Sequence, residues 1–185
     1  MINLENLETL ENLDTVDESV KTIPDMILVD NTYGKLSPDV LSRGVNLALK
    51  FGFKTLFLPD LSEKEIGKIN EYRITPKDKL KDEINRILKT TYSRDSNVID
   101  SYYKIIESPI FLVGSNLKKS GIFFNNPKQK EKKDEIKNKI DDFRSQGKKV
   151  IIFTGLMYNS FLEEVYKDVN DISFLRLRGV ISSNK

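Results

Sequence analysis

Four short apolar runs constrain this chain more than any other feature: residues 26–29 (Met-Ile-Leu-Val), 55–58 (Thr-Leu-Phe-Leu), 110–113 (Ile-Phe-Leu-Val) and 150–153 (Val-Ile-Ile-Phe). None alternates apolar with polar residues, so none reads as a strand with one wet face. Continuous runs of this length read as strands buried on both sides, the pattern of a parallel sheet between helices. Helix signals fill the gaps. Ser37-Pro38-Asp39 opens a helix that Gly52 stops, and Ser62 with Glu65 forms a capping box. Thr75-Pro76 starts a helix with Leu80, Ile84, Ile87 and Leu88 on one face, and Pro109 stops another over 97–107. A charged helix over 128–145 turns only Ile136, Ile140 and Phe143 inward and ends at Gly147. A last helix carries Tyr158, Phe161, Leu162, Val165 and Val169, and residues 172–181 close the chain as a strand. Residues 121–124 are a candidate hairpin extension of the third strand. The expected fold is α/β: a mainly parallel sheet of four to six strands covered by helices, Rossmann-like or RecA-lobe-like.

Residues 1–23 stand apart from this pattern. Leu4, Leu7, Leu10 and Leu13 recur every three residues with acids between them, which reads as an amphipathic arm ahead of a single α/β domain over 24–185. The arm is either a partner-docking element, for a protein or a second copy of the chain, or a helix packed on its own domain.

Composition excludes much chemistry. The 185 residues contain no cysteine, histidine or tryptophan. A thiol nucleophile, a Ser-His-Asp triad and a His- or Cys-ligated zinc are therefore unavailable within this chain. Catalysis would have to use carboxylates, lysine or hydroxyls. No cofactor is called for, and magnesium is the ion such acids would hold. No segment has the length and apolarity of a membrane span, and the acidic N-terminus is unlike a signal peptide, so the expected location is the cytoplasm. The net charge of +2 is too small to argue nucleic-acid binding by itself. The abundance of Lys, Asn and Ile fits an AT-rich genome, such as that of a phage or virus.

Ligands of α/β sheets gather beyond the carboxyl ends of the strands. The acids at such tips are Asp30 and Asp60, the candidate catalytic or metal-holding pair. The loop Gly114-Ser115-Asn116-Leu117-Lys118-Lys119-Ser120-Gly121 has the composition of a phosphate cradle, with Lys118 and Lys119 as its cations. Arg176 and Arg178, two apart, share one face of the final strand and could meet a DNA or RNA backbone or acidic side chains.

Two segments resemble known families. Residues 149–179, with Lys149-Val150-Ile151-Ile152-Phe153-Thr154, a helix, then Arg176-Leu177-Arg178-Gly179, resemble the opening of the second RecA-like lobe of superfamily-two helicases of the Swi/Snf type. That resemblance implies one β–α–β unit and an affinity for nucleic-acid backbones. It does not imply ATPase activity, because Arg178 stands where the family has an acid. Residues 26–58, around Asp30-Asn31-Thr32-Tyr33-Gly34, resemble the ribose-phosphate loop unit of phosphoribosyltransferases, with Asn31 in place of the second acid. Taken together, the sequence favours a non-catalytic binding protein that docks on a protein assembly or nucleic acid. The alternatives are a magnesium-dependent, nuclease-like enzyme on phosphorylated substrates and a phosphate-binding regulatory domain.

Overall fold

The computed structural model describes residues 24–30, 44–46, 48–92, 96–116, 127–154, 156–169 and 174–177. The acidic arm, Lys118, Lys119, Arg178 and the candidate strand 121–124 lie outside the described residues.

Five strands form one parallel sheet: β1 (Met26–Asp30), β2 (Thr55–Ser62), β3 (Phe111–Ser115), β4 (Val150–Thr154) and β5 (Phe174–Leu177), in the order β3-β2-β4-β1-β5. The helices are α1 (Glu63–Ile74), α2 (Asp78–Thr91), α3 (Ser96–Glu107), α4 (Pro127–Ser145) and α5 (Leu156–Tyr166), with further helical residues at 44–46 and 48–50.

The strand order explains how the continuous apolar runs are used. From β1 to β2 to β3 the chain moves one way across the sheet; from β3 to β4 to β5 it moves back. Parallel crossovers are right-handed, so reversing the direction moves the helices to the other face. One face packs Ile27, Val29, Leu56, Leu58, Ile151 and Phe153 against residues from α1, α2, α3 and the 44–50 segment. The other packs Met26, Leu28, Phe57, Val150 and Ile152 against Ile136 and Ile140 of α4 and Tyr158, Leu162 and Tyr166 of α5. Both side-chain rows of every central strand are therefore apolar, as a three-layer sandwich requires.

The local signals act as their chemistry dictates. Ser62 caps α1: the Glu65 backbone N–H donates to Ser62 Oγ at 3.3 Å, while the Ser62 backbone N–H donates to Glu65 Oε2 at 2.7 Å. Gly52 and Gly147 take positive φ angles of 76° and 64° where their helices stop.

Two boundaries differ from the sequence reading. The strand expected over 55–58 continues to Ser62, through an irregularity in its pairing with β3 between Phe57 and Ser62. That irregularity lets Pro59, which has no amide hydrogen to give, sit inside the element. The helix expected at Thr75-Pro76 begins at Asp78, because Thr75 is still the cap of α1, its N–H donating to Glu71 O at 2.9 Å. Of the final strand expected over 172–181, the described residues form Phe174–Leu177, and the rest lies outside the described residues.

Candidate functional site at the carboxyl edge

In a parallel sheet every strand ends on the same side. Asp30 is the last residue of β1, Asp60 lies in the last part of β2, and Gly114-Ser115 ends β3, so all three reach one edge. The strand order then separates them. Asp30 pairs in register with Thr154 of β4, and β4 stands between β1 and β2. At the strand spacing this puts the backbones of Asp30 and Asp60 about 10 Å apart. The outgoing crossovers of β2 and β4 leave in opposite directions, so the crevice where α/β proteins place ligands falls between those two strands.

The side chains next to that crevice are engaged with one another. Lys132, in the first half of α4, is 1% exposed. Its ammonium donates to Ser115 Oγ and lies 3.5 Å from Glu135 Oε2. The Ser115 hydroxyl, fully buried, donates in turn to Glu135 Oε2, and the Asn116 backbone N–H donates to Glu135 Oε1. One turn further on, Lys139 donates to the Gly114 carbonyl at 2.8 Å and to Glu63 at the start of α1. Together these bonds tie α4 to the tip of β3 and to α1. Burial pushes the Lys132 ammonium below the usual lysine range, while Glu135 and Asp60 oppose that shift.

Ser115 is fully buried and bridges Lys132 and Glu135, so its hydroxyl is not presented to a substrate in this structure. The geometry is that of a buried ion pair bridged by a hydroxyl.

Asp60 is half-buried, and its charge acts on both sides of the sheet. It supports the charge of Lys132 on one side and discourages ionisation of Tyr92 and Tyr102 on the other. Those two rings stack with centroids 4.0 Å apart and planes 12° from parallel. At the end of β4, Thr154 and Asn159 are fully buried, and Asn159 Nδ2 reaches back from α5 to the Thr154 carbonyl at 3.2 Å. Among the described residues no group of three or more acids is placed to hold a metal ion, and no helix is long and apolar enough to cross a membrane.

The buried tyrosines give a pH prediction. Tyr92 and Tyr102 are raised well above the usual tyrosine value, chiefly by burial. Tyr166 is raised by burial and by its 2.8 Å hydrogen bond to Asp141, and Tyr103 is pushed up to about 12 by burial. A group whose folded pKa lies above its unfolded value adds stability at low pH and loses it as pH climbs past the unfolded value, about 10 for tyrosine. Titrating the native protein should therefore ionise at most three of its seven tyrosines before the fold melts. Smooth appearance of tyrosinate absorbance for all seven, with circular dichroism unchanged, would contradict the burial.

Of the sequence candidates, Asp30 and Asp60 share the carboxyl edge without adjoining each other. Arg176 lies on the edge strand β5, in register with Leu28, and Arg178 falls outside the described residues. In the sequence Ser115 stands out only as part of the candidate phosphate cradle, and Lys132 and Glu135 only as members of the charged helix 128–145. The signal for Lys132 was its spacing: it precedes Ile136 by four residues and Ile140 by eight, on the stripe that faces the core.

No family model matches this sequence, and no curated protein matches it. Among solved structures it is similar to the type III effector HopBA1, at 14% identity and a TM-score of 0.46, over 71% of this chain and 66% of that one. A likeness at that level carries no functional argument. Residues 150–177 do form β4, α5 and β5, but any parallel sheet contains such a unit.

Proposed function

We propose that this chain is a non-catalytic binding protein that docks on a protein partner. The observation that carries this reading is the buried Ser115–Lys132–Glu135 network. At the sheet edge where an α/β enzyme would hold reactive groups free, this chain spends a serine, a lysine and a glutamate on fastening α4 to β3. A protein partner is favoured over nucleic acid because the lysines of α4 are interleaved with acids, as on a solvated helix face, with pairs such as Lys137–Asp141. The acidic leucine arm is the docking element on this reading.

The competing reading is a magnesium-dependent enzyme acting on phosphorylated or nucleic-acid substrates, with Asp30 and Asp60 around the ion. What favours it is their shared position at the carboxyl edge. One pair of assays separates the two. The full chain is incubated with phosphomonoesters and with single-stranded DNA and RNA in magnesium, and its retention on the same nucleic acids is followed at low salt, where backbone contacts are strongest. The binding-protein reading expects no turnover and no retention. Turnover that disappears in Asp60→Asn, with the melting temperature unchanged, would replace it with the enzyme reading; retention would replace the protein partner with nucleic acid.

A further inference from the structure

Three large apolar side chains of the described residues face solvent: Ile74, Phe111 and Leu49, which are 83%, 63% and 36% exposed. All lie on the amino edge of the sheet, opposite the crevice. Ile74 ends α1, Phe111 opens β3, and Leu49 sits in the last helical turn before β2. A chain of hydrogen bonds links their positions. The Arg73 guanidinium donates to the Ser108 and Ile110 carbonyls, next to Phe111. The Phe111 N–H donates to Lys54 O, the Phe53 N–H to Ala48 O, and the Gly52 N–H to Leu49 O. The three side chains thus belong to one strip along the amino edge. Exposed Lys50, Lys54 and Lys77 and half-buried Arg73 border it, with Glu71, Asp78 and Glu107 among the nearby acids.

The occupant that fits is the chain's own first segment. Residues 1–22 hold six acids and one lysine, a net of −5 against +2 for the whole chain, which leaves +7 for residues 23–185. Their leucines supply the apolar complement. Their point of attachment is also right. Pro24 is buried and β1 begins at Met26, on the amino edge. β1 lies two strands from β2 and three from β3, about 10 and 14 Å at the sheet spacing. Twenty-two residues span about 33 Å even when helical, so the reach is ample.

We infer that residues 1–22 dock in cis on this amino-edge strip, their leucines against Leu49, Ile74 and Phe111 and their carboxylates beside Lys50, Lys54, Arg73 and Lys77. The same arm is the docking element of the binding reading, so a partner that takes it would uncover the strip. The docking itself belongs to the isolated chain and is measured without a partner, so its failure leaves the binding reading standing.

Amide hydrogen exchange of the full chain tests it, read peptide by peptide. The arm amides should exchange at least about tenfold more slowly than an unstructured chain, and higher salt should weaken that protection. In the variant carrying Ile74→Asp and Phe111→Asp the arm should return to unprotected rates while the amides of β4 stay protected. Both substituted side chains are exposed, so the fold should survive. Arg86→Asp, on the exposed side of α2, should leave the arm protected. Three results would overturn the inference: an unprotected arm in the unaltered protein, protection indifferent to the double substitution, or protection that grows with protein concentration, which would put the arm on a second copy.

Discussion

Glu135→Ala should destabilise the fold by about 2 kcal/mol, because it removes the acceptor of two hydrogen bonds and a counter-charge beside a buried ammonium. Glu135 accepts from the Ser115 hydroxyl and the Asn116 backbone N–H and lies 3.5 Å from the Lys132 ammonium. Removing it takes a counter-charge from an ammonium whose side chain is 1% exposed and the acceptor from the buried Ser115 hydroxyl. Neutralising both ends has the opposite logic. Lys132→Met combined with Glu135→Leu removes the charge and its counter-charge and extends the apolar stripe of Ile136 and Ile140, so the double variant should recover part of the loss. Urea denaturation of the single and double variants measures both. A cost below about 1 kcal/mol for Glu135→Ala would mean that the network does not hold α4 in place.

The second large effect is steric. Gly114 lies in β3 where the chain passes against the junction of β2 and α1. A Cβ added there would stand 2.8 Å from the Leu61 carbonyl oxygen, 2.9 Å from the Ser62 carbonyl carbon and 2.8 Å from Ile66 Cγ1. Two of those neighbours are backbone, from Leu61 and from Ser62, the residue that caps α1. Gly114→Ala should therefore cost about 3 kcal/mol, the upper part of the range for overpacking, because the obstacle cannot rotate away. Denaturation measures the cost. The loss should not add to that of Glu135→Ala, since Gly114 positions Ser115 and its carbonyl accepts from Lys139. A full additive sum, or a cost of a few tenths of a kcal/mol, would contradict the close approach.

These two residues mark the limit of what the sequence discloses. The sheet was legible because its strands are continuous apolar runs, and the capping box and the two glycine stops were legible because each is a local device. The length of β2 was not, because Pro59-Asp60 looks like the end of a strand and only the irregular pairing with β3 carries it to Ser62. Gly114-Ser115-Asn116 has the composition of a phosphate loop. In the structure the glycine serves close packing, the serine bridges an ion pair, and the asparagine lends its N–H to Glu135. Lys132 is one lysine among many in a charged helix, and charge counting hides it. Only its register with Ile136 and Ile140 shows that it must be buried, and only the fold shows that Ser115 and Glu135 meet it there.

The claim that the carboxyl edge holds the fold together rather than carrying out a reaction is tested most directly by melting the full chain with EDTA and with about 10 mM magnesium. An ion that binds the folded state at a hundred times its dissociation constant adds about 2.7 kcal/mol, a shift of several degrees for a domain of this size. The account predicts the same melting temperature in both. A rise of several degrees in magnesium that vanishes in Asp30→Asn and in Asp60→Asn would contradict it.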